Sequence, residues 1–132
     1  FERLRDTLDA RYARRLALSK ALAVAKQLQE RKGIESDVVD VASLAPLDMD
    51  TIAASVCKTG RAVIIQEAPR SSGVAGDIAA RLWEIAAEYL EAPIQLVTSW
   101  DITMPGFPLQ HLHIPDERRI IEAAERVLED LW

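Results

Sequence analysis

Apolar residues in the first 32 positions recur every three or four residues, with neither glycine nor proline among them. This spacing predicts helix over residues 1–32, and Gly33 is expected to end it. The apolar positions form two stripes that point in different directions, Phe1, Leu4, Leu8, Tyr12 and Leu16 in the first and Leu18, Ala21, Leu22, Ala25 and Leu28 in the second. A single helix of this length would measure roughly 45 Å. We therefore expect either a break near Ser19 or an arm that reaches another subunit.

Beyond Gly33, short apolar runs alternate with helical stretches. Strands are predicted at residues 37–41, 62–66 and 94–98. Helices are predicted at residues 49–59, with Asp48 as N-cap and Gly60 as stop, at about residues 76–90, and after Pro115-Asp116. The second of these helices carries a broad apolar stripe that is expected to be buried, made of Ile78, Leu82, Trp83, Ile85, Tyr89 and Leu90. The alternation of strands and helices predicts an α/β domain with a mainly parallel sheet, in which residues 99–114 are a long irregular connection.

Charge divides the chain into a basic segment, residues 1–33, and an acidic remainder, residues 34–132, which we expect to fold as one α/β unit. Nine Lys/Arg against four Asp/Glu give the first segment +5, and seven against seventeen give the second −10. The net charge of −5 argues against nucleic acid as a partner. Short apolar runs, a charged start and a single cysteine predict a cytoplasmic protein that is not a membrane protein.

The sequence contains none of the common motifs that by themselves indicate a catalytic, nucleotide-binding or zinc-binding site. The five glycines build neither a dinucleotide-binding nor a phosphate-binding loop, and one Cys with two His gives no zinc-finger spacing. His111 and His113 would point to one side of an extended chain and could bind a metal with Asp101 or Asp116. The alternative, which the spacing alone favours, is a pair of polar side chains on a solvent-facing edge. We expect no cofactor and no metal.

Two further features have a functional and a structural interpretation. Arg70, Ser71, Ser72 and Gly73 precede a predicted helix, whose free backbone N–H groups attract anions, so they are either an anion seat or ordinary capping residues. The last helix is rich in acidic residues, which either contact a basic partner or form a solvated face. They are Glu117, Glu122, Glu125, Glu129 and Asp130. Cys57 lies near a helix C-terminus, which does not favour a thiolate, so we expect it to be unreactive.

Several motifs occur together in an order that resembles a known family. They are Pro46-Leu47-Asp48 with Thr51-Ile52, then Ser55-Val56-Cys57-Lys58-Thr59-Gly60-Arg61, Glu67-Ala68-Pro69, Leu90-Glu91-Ala92-Pro93-Ile94 and Val97-Thr98. From about residue 20 onward the chain resembles the C-terminal domain of the beta subunit of thiamine-diphosphate-dependent 2-oxo acid dehydrogenases of the pyruvate or branched-chain type. This module is the transketolase C-terminal domain.

The resemblance implies a three-layer α/β/α sandwich and a non-catalytic assembly role. In such complexes the domain helps beta subunits pair, packs on the alpha subunit and docks the lipoyl acyltransferase. Thiamine diphosphate and the catalytic residues belong to the alpha subunit and to the first domain of the beta subunit. Partner docking is assigned on this basis to Asp101, Glu129, Asp130 and Trp132.

One departure from the family concerns its first strand, an apolar stretch just before the helix that matches residues 20–31. Here residues 10–17 contain Arg11, Arg14 and Arg15, which suit a buried strand poorly. We expect helix instead of strand there, and hence an excised or engineered derivative of the family domain. The alternatives are an artificial scaffold without biochemical function and a small-anion or metal-binding enzyme.

Loss of that first strand would leave residues 62–65 as an apolar sheet edge, Ala62, Val63, Ile64 and Ile65, with no charge or proline to blunt it. The stripe that contains Phe1, Tyr12 and Leu16 also needs a partner. The sequence therefore predicts self-association, as a homodimer.

Overall fold

The computed structural model describes residues 16–106 and 108–129, which contain four helices longer than one turn and two strands. The elements in chain order are α1 (Leu16–Lys32), α2 (Met49–Thr59), β1 (Val63–Pro69), α3 (Ala75–Ala86) with a 3-10 turn (Ala87–Tyr89), β2 (Gln95–Ser99), the single-turn α4 (Gln110–His113) and α5 (Glu117–Glu129). The predictions for Phe1, Tyr12, Asp130, Trp132 and residues 10–15 lie outside the described residues.

The sheet of the described residues consists of β1 and β2, which run parallel. Val63 pairs with Gln95 and Ile65 with Val97, and the register is irregular between Ile65 and Pro69. Helix α3 connects the two strands and packs against β1. This β–α–β unit is the parallel crossover that the alternating pattern predicts.

Helices cover both faces of the sheet, so the chain has three layers. Ile64 packs on one face against a buried cluster from α2 and α3 that includes Val56 and Leu82. Val63 and Ile65 pack on the opposite face against a cluster from α1, α5 and β2. Successive residues of a strand point to opposite faces, which explains why this continuous apolar run is needed. The predicted three-layer α/β/α architecture is confirmed.

The ends of the helices follow local signals in the sequence. Asp48 caps α2 by accepting a hydrogen bond from the Thr51 amide at 3.0 Å. Gly60 ends the same helix with φ of +70°, a conformation that other residues adopt at a cost. Gly33 ends α1 in the same way, with φ of +66°. All three predicted boundaries are confirmed because capping depends on neighbouring residues alone.

Helix α1 shows that the proposed break at Ser19 was wrong. The helix continues through this residue, whose hydroxyl donates to the Leu16 carbonyl at 2.9 Å instead of capping a new helix. Leu16 and Ala17 are helical, as expected for their part of residues 10–17. Val24 and Leu28 are buried against α5, so α1 shares a core with the C-terminal helix.

The predicted strand at residues 37–41 is also wrong, since this segment has no regular structure. A strand requires a neighbour that accepts its backbone hydrogen bonds, and no other strand of the described residues lies beside this segment. Asp37 is instead held by the Ser55 hydroxyl at 3.2 Å and the Lys58 ammonium at 3.1 Å. The alternating pattern is present, but none of the described strands pairs with this segment.

The apolar stripe of α3 is narrower in the structure than predicted. Ile78 and Leu82 are buried, whereas Trp83 and Ile85 are each 54% exposed and Tyr89 is exposed as well. The helix meets α2 and β1 along one side, so the flanks of the stripe remain uncovered. None of the described helices combines the length and the apolar character needed to cross a bilayer.

Candidate interaction site at the carboxyl end of the sheet

The carboxyl ends of β1 and β2 lie side by side because the strands are parallel, and the loops that follow them meet there. Asp101 lies just after β2, and Ser71 lies just after β1. The Asp101 carboxylate accepts hydrogen bonds from the Ser71 amide at 3.0 Å and from the Ser71 hydroxyl at 2.7 Å. One carboxylate oxygen thus joins the two loops. The predicted anion seat directs two of its donors at a carboxylate of the same chain.

Gln66 and Gly73 complete the turn that carries this seat. The Gln66 side chain accepts from the Ala75 amide at 2.9 Å, which caps α3, and donates to the Pro69 carbonyl at 3.1 Å. A Cβ at Gly73 would lie 2.0 Å from the Gln66 side-chain nitrogen, so glycine is required for this close approach. Arg70 and Ser72 are exposed on the same turn. The capping role of Gln66 was missed by the sequence analysis.

The hydrogen bonds to Asp101 make the stability of the chain depend on pH. The Ser71 amide, followed by the Ser71 hydroxyl, holds the pKa of Asp101 below its ordinary value. A carboxyl whose pKa is depressed by folding contributes stability above its unfolded pKa, about 3.9, and loses it as the pH falls through its folded pKa. We therefore expect Asp101→Asn to be less stable than the wild type at pH 7, with the difference shrinking as the pH falls below about 4 and disappearing below the folded pKa.

Urea denaturation at a series of pH values measures this difference. The exposed Glu88 supplies the control, Glu88→Gln, which is expected to follow the wild type at every pH. A gap between Asp101→Asn and wild type that is the same at pH 3 and pH 7 would contradict the assignment.

A second contact fixes the connection between β2 and α5. The Arg119 guanidinium lies 4.2 Å from the centre of the Trp100 ring and donates to the Thr98 carbonyl at 2.7 Å. The Trp100 indole nitrogen donates in turn to the Leu112 carbonyl at 3.2 Å. The two ends of the connection are thereby held together. Neither Trp100 nor Arg119 was given a role from the sequence, because an arginine in the first turn of an amphipathic helix carries no local signal of such a contact.

The two histidines do not lie on one side of an extended chain, so that interpretation was wrong. Both belong to α4, where His113 is 4% exposed and His111 is exposed. The Nδ1 atom of His113 is buried without a hydrogen-bond partner, and that of His111 lies 2.8 Å from the Pro108 carbonyl. Within residues 16–106 and 108–129, no three His, Cys, Asp or Glu side chains are grouped as a metal would need.

Between these anchors the connection carries an exposed apolar surface, here named the apolar loop. Its large side chains are 52–62% exposed and comprise Trp100, Ile102, Met104, Leu109 and Leu112. Single exposed apolar residues are ordinary, but several within one anchored segment are typical of an interaction site. The structure therefore places the strongest candidate site on the apolar loop, of which only Asp101 had been assigned to docking.

The remaining candidate residues lie elsewhere. Glu129 is exposed at the end of α5. Cys57 is partly buried against the α2–α3 cluster. Residues 62–65 border β2 along one side of β1, and Leu16 is 46% exposed at the start of α1.

Comparisons with known proteins agree with this architecture. The profile of "Transketolase, C-terminal domain" matches residues 16–120. The chain is 39% identical over 110 residues to the "Pyruvate dehydrogenase E1 component subunit beta" of Bacillus subtilis, covering 83% of this chain and 34% of that protein. It is 40% identical over 111 residues to the "3-methyl-2-oxobutanoate dehydrogenase subunit beta" of Mycobacterium tuberculosis, covering 84% of this chain and 32% of that protein. The chain thus spans about a third of the length of these relatives.

A solved structure shares the fold as well. The protein described as "Split gene transketolase, inactive beta4 tetramer" superposes with a TM-score of 0.65 at 30% identity, over 86% of this chain and 35% of that one. The resemblance stated from the sequence motifs is confirmed. On its sequence, its three layers and these similarities, the chain belongs to the transketolase C-terminal domain family.

Proposed function

We propose that the chain is a non-catalytic assembly domain of a 2-oxo acid dehydrogenase of the pyruvate or branched-chain type. The observation that carries the proposal is the apolar loop, an exposed surface held in place at both ends. The partners proposed for it are the alpha subunit and the lipoyl acyltransferase of such a complex. Thiamine diphosphate and the reacting groups would then be supplied by other domains.

The names of the relatives support an assembly role. Two of the most similar proteins are each called a "subunit beta" of a dehydrogenase. The chain corresponds to about a third of their length. A domain of this kind is expected to contact the rest of its own subunit and neighbouring subunits. Surfaces that are exposed in the isolated domain then become interfaces in the complex.

The construction of the apolar loop also suits binding. Trp100 is fixed by Arg119 and by the Leu112 carbonyl, so little conformational freedom remains to be lost when a partner covers it. Tryptophan is among the residues that contribute most to binding when they lie at the centre of an interface. The acidic charge of residues 34–132 favours a partner with a basic surface, and Glu129 is exposed for such a contact.

Titration calorimetry tests the proposal. The chain is titrated separately with the alpha subunit and with the acyltransferase subunit-binding domain of the same organism. We expect binding to at least one of them, and we expect Ile102→Ser to weaken it about tenfold or more because it removes an apolar side chain from the surface. Ile85→Ser on α3, at a residue that is 54% exposed, is the matched control and is expected to leave the affinity unchanged.

Circular dichroism of both variants checks that they fold. Absence of binding to either subunit would contradict the proposal. An equal loss of affinity in Ile102→Ser and Ile85→Ser would contradict the assignment of the site to the apolar loop.

A further inference from the structure

The two methionines of the chain differ in their exposure to solvent. Met49 is 9% exposed and lies in the buried cluster that joins α2 to α3. Met104 is 52% exposed and lies in the apolar loop. A dissolved reagent therefore reaches the side chain of Met104 directly, whereas the close packing of the core keeps it from Met49.

Methionine differs from the other side chains of the apolar loop because its polarity can be changed chemically and then restored. A hydroperoxide transfers one oxygen atom to the thioether sulfur, which loses two electrons and becomes a sulfoxide. The O–O bond breaks, and the remainder of hydrogen peroxide leaves as water. Methionine sulfoxide reductases reverse the step with two thiols, which become a disulfide while the oxygen leaves as water.

Met104 lies within a segment whose two ends are held by hydrogen bonds. Asp101 accepts from the Ser71 hydroxyl at 2.7 Å, and the Leu112 carbonyl accepts from the Trp100 indole at 3.2 Å. A partner that covers this segment removes Met104 from water. A sulfoxide oxygen at this position would then lose its hydrogen bonds to water, and this desolvation weakens binding.

We propose that Met104 is an oxidation site that controls docking to the apolar loop, with hydroperoxides as the reagents. The thioether form binds the partner subunit, and the sulfoxide form binds it weakly. Reduction of the sulfoxide restores docking, so the site acts reversibly. The proposal rests on the proposed function, since the docking that it regulates is that of the alpha subunit or the acyltransferase.

The fold is expected to survive this oxidation. The contacts that anchor the apolar loop are made by Ser71, Trp100 and Arg119, at atoms that do not take part in the step. A change at an exposed side chain usually has little effect on the free energy of unfolding. Oxidation of Met49 would instead place a polar oxygen in the core and destabilise it. Oxidation of Met104 therefore changes binding and leaves stability as it was.

Limited treatment with hydrogen peroxide, followed by mass spectrometry of peptides, tests the site. All proteins carry Cys57→Ser, so that a thiol does not consume the reagent. We expect Met104 to gain an oxygen at least about tenfold faster than Met49, because the two side chains differ in exposure. In urea, where the chain is unfolded, the two rates are expected to become similar. Equal rates in the folded chain would overturn the proposal.

Titration calorimetry tests the consequence for docking. The oxidised chain, freed of peroxide, is titrated with the untreated alpha subunit and with the untreated acyltransferase subunit-binding domain. We expect its affinity to be at least about tenfold lower than that of the unoxidised chain. The affinity is expected to recover after treatment with the two methionine sulfoxide reductases. Urea denaturation of the oxidised chain is expected to match that of the unoxidised chain.

Met104→Leu is the matched control, because it keeps an apolar side chain of similar volume that peroxide does not oxidise. We expect this variant to bind as the unoxidised chain does, both before and after peroxide. A loss of affinity in the treated variant would assign the effect to another residue, and an unchanged affinity of the oxidised chain would show that the sulfoxide is tolerated. Either result overturns this proposal alone. Absence of binding by the unoxidised chain would overturn the proposed function and this proposal with it.

Discussion

Replacing Leu82 by alanine is expected to lower the free energy of unfolding by about 2–5 kcal/mol. Leu82 is 1% exposed and lies in the cluster that joins α2 to α3 beneath the sheet. Truncation removes apolar contacts and leaves a cavity that the surrounding side chains fill only in part. For a domain of this size such a loss is a large fraction of the total stability. Urea denaturation followed by far-UV circular dichroism measures it.

Ile85 provides the matched control on the same helix. It is 54% exposed, so Ile85→Ala is expected to change the free energy of unfolding by no more than about 0.5 kcal/mol. If the two substitutions had similar effects, the assignment of the buried side of α3 would be wrong.

Arg119→Ala is expected to lower the free energy of unfolding by about 2 kcal/mol. The substitution removes a charge-assisted hydrogen bond to the Thr98 carbonyl and the stacking of the guanidinium on Trp100. Part of this loss is offset, because the Nη1 atom of Arg119 is buried without a partner and its desolvation is relieved. Since the contact also anchors the apolar loop, amide hydrogen exchange in residues 100–112 is expected to accelerate more than in α2.

The adjacent Arg118 separates a specific role of Arg119 from the general loss of a positive charge. Arg118 forms an exposed ion pair with Glu122 at 2.7 Å, one turn along α5. Such pairs contribute at most about 0.5 kcal/mol, so Arg118→Ala is expected to be nearly neutral. If the two alanine substitutions were equally destabilising, the effect of Arg119 would come from the stability of α5 and not from its contacts with Trp100 and Thr98.

Elements whose signals are local could be predicted from the sequence. Asp48 and Gly60 mark the ends of α2 through contacts within four residues, and the capping preferences of these residue types apply directly. Residues 37–41 have an equally clear strand pattern, yet they form no strand, because pairing depends on a neighbour elsewhere in the chain. The exposed flanks of α3 were missed for a related reason: the pattern shows which residues are apolar, but the packing partners decide which are covered.

The candidate site depended on contacts between distant residues and was therefore harder to predict. The turn of Arg70–Gly73 was recognised as a place where donors gather, but its acceptor, Asp101, lies 30 residues from Ser71. The stacking of Arg119 on Trp100 likewise joins a helix to the strand end before it. The exposure of Ile102 and Leu112 could not be predicted from the sequence, because an apolar residue in a connecting segment can be either buried or exposed.

The two helical layers differ in how the chain assembles them. Helices α2 and α3 are close in sequence, with β1 between them, so their layer forms from one continuous stretch. Helices α1 and α5 meet from opposite ends of the described chain, and the ion pair between Lys32 and Glu125 closes a loop of 93 residues. The entropy lost in closing a loop grows with its length, so the α1–α5 layer forms at a greater entropic cost. Each of these helices holds the other against Val63, Ile65 and Val97, and losing either end of the chain would uncover the same face of the sheet.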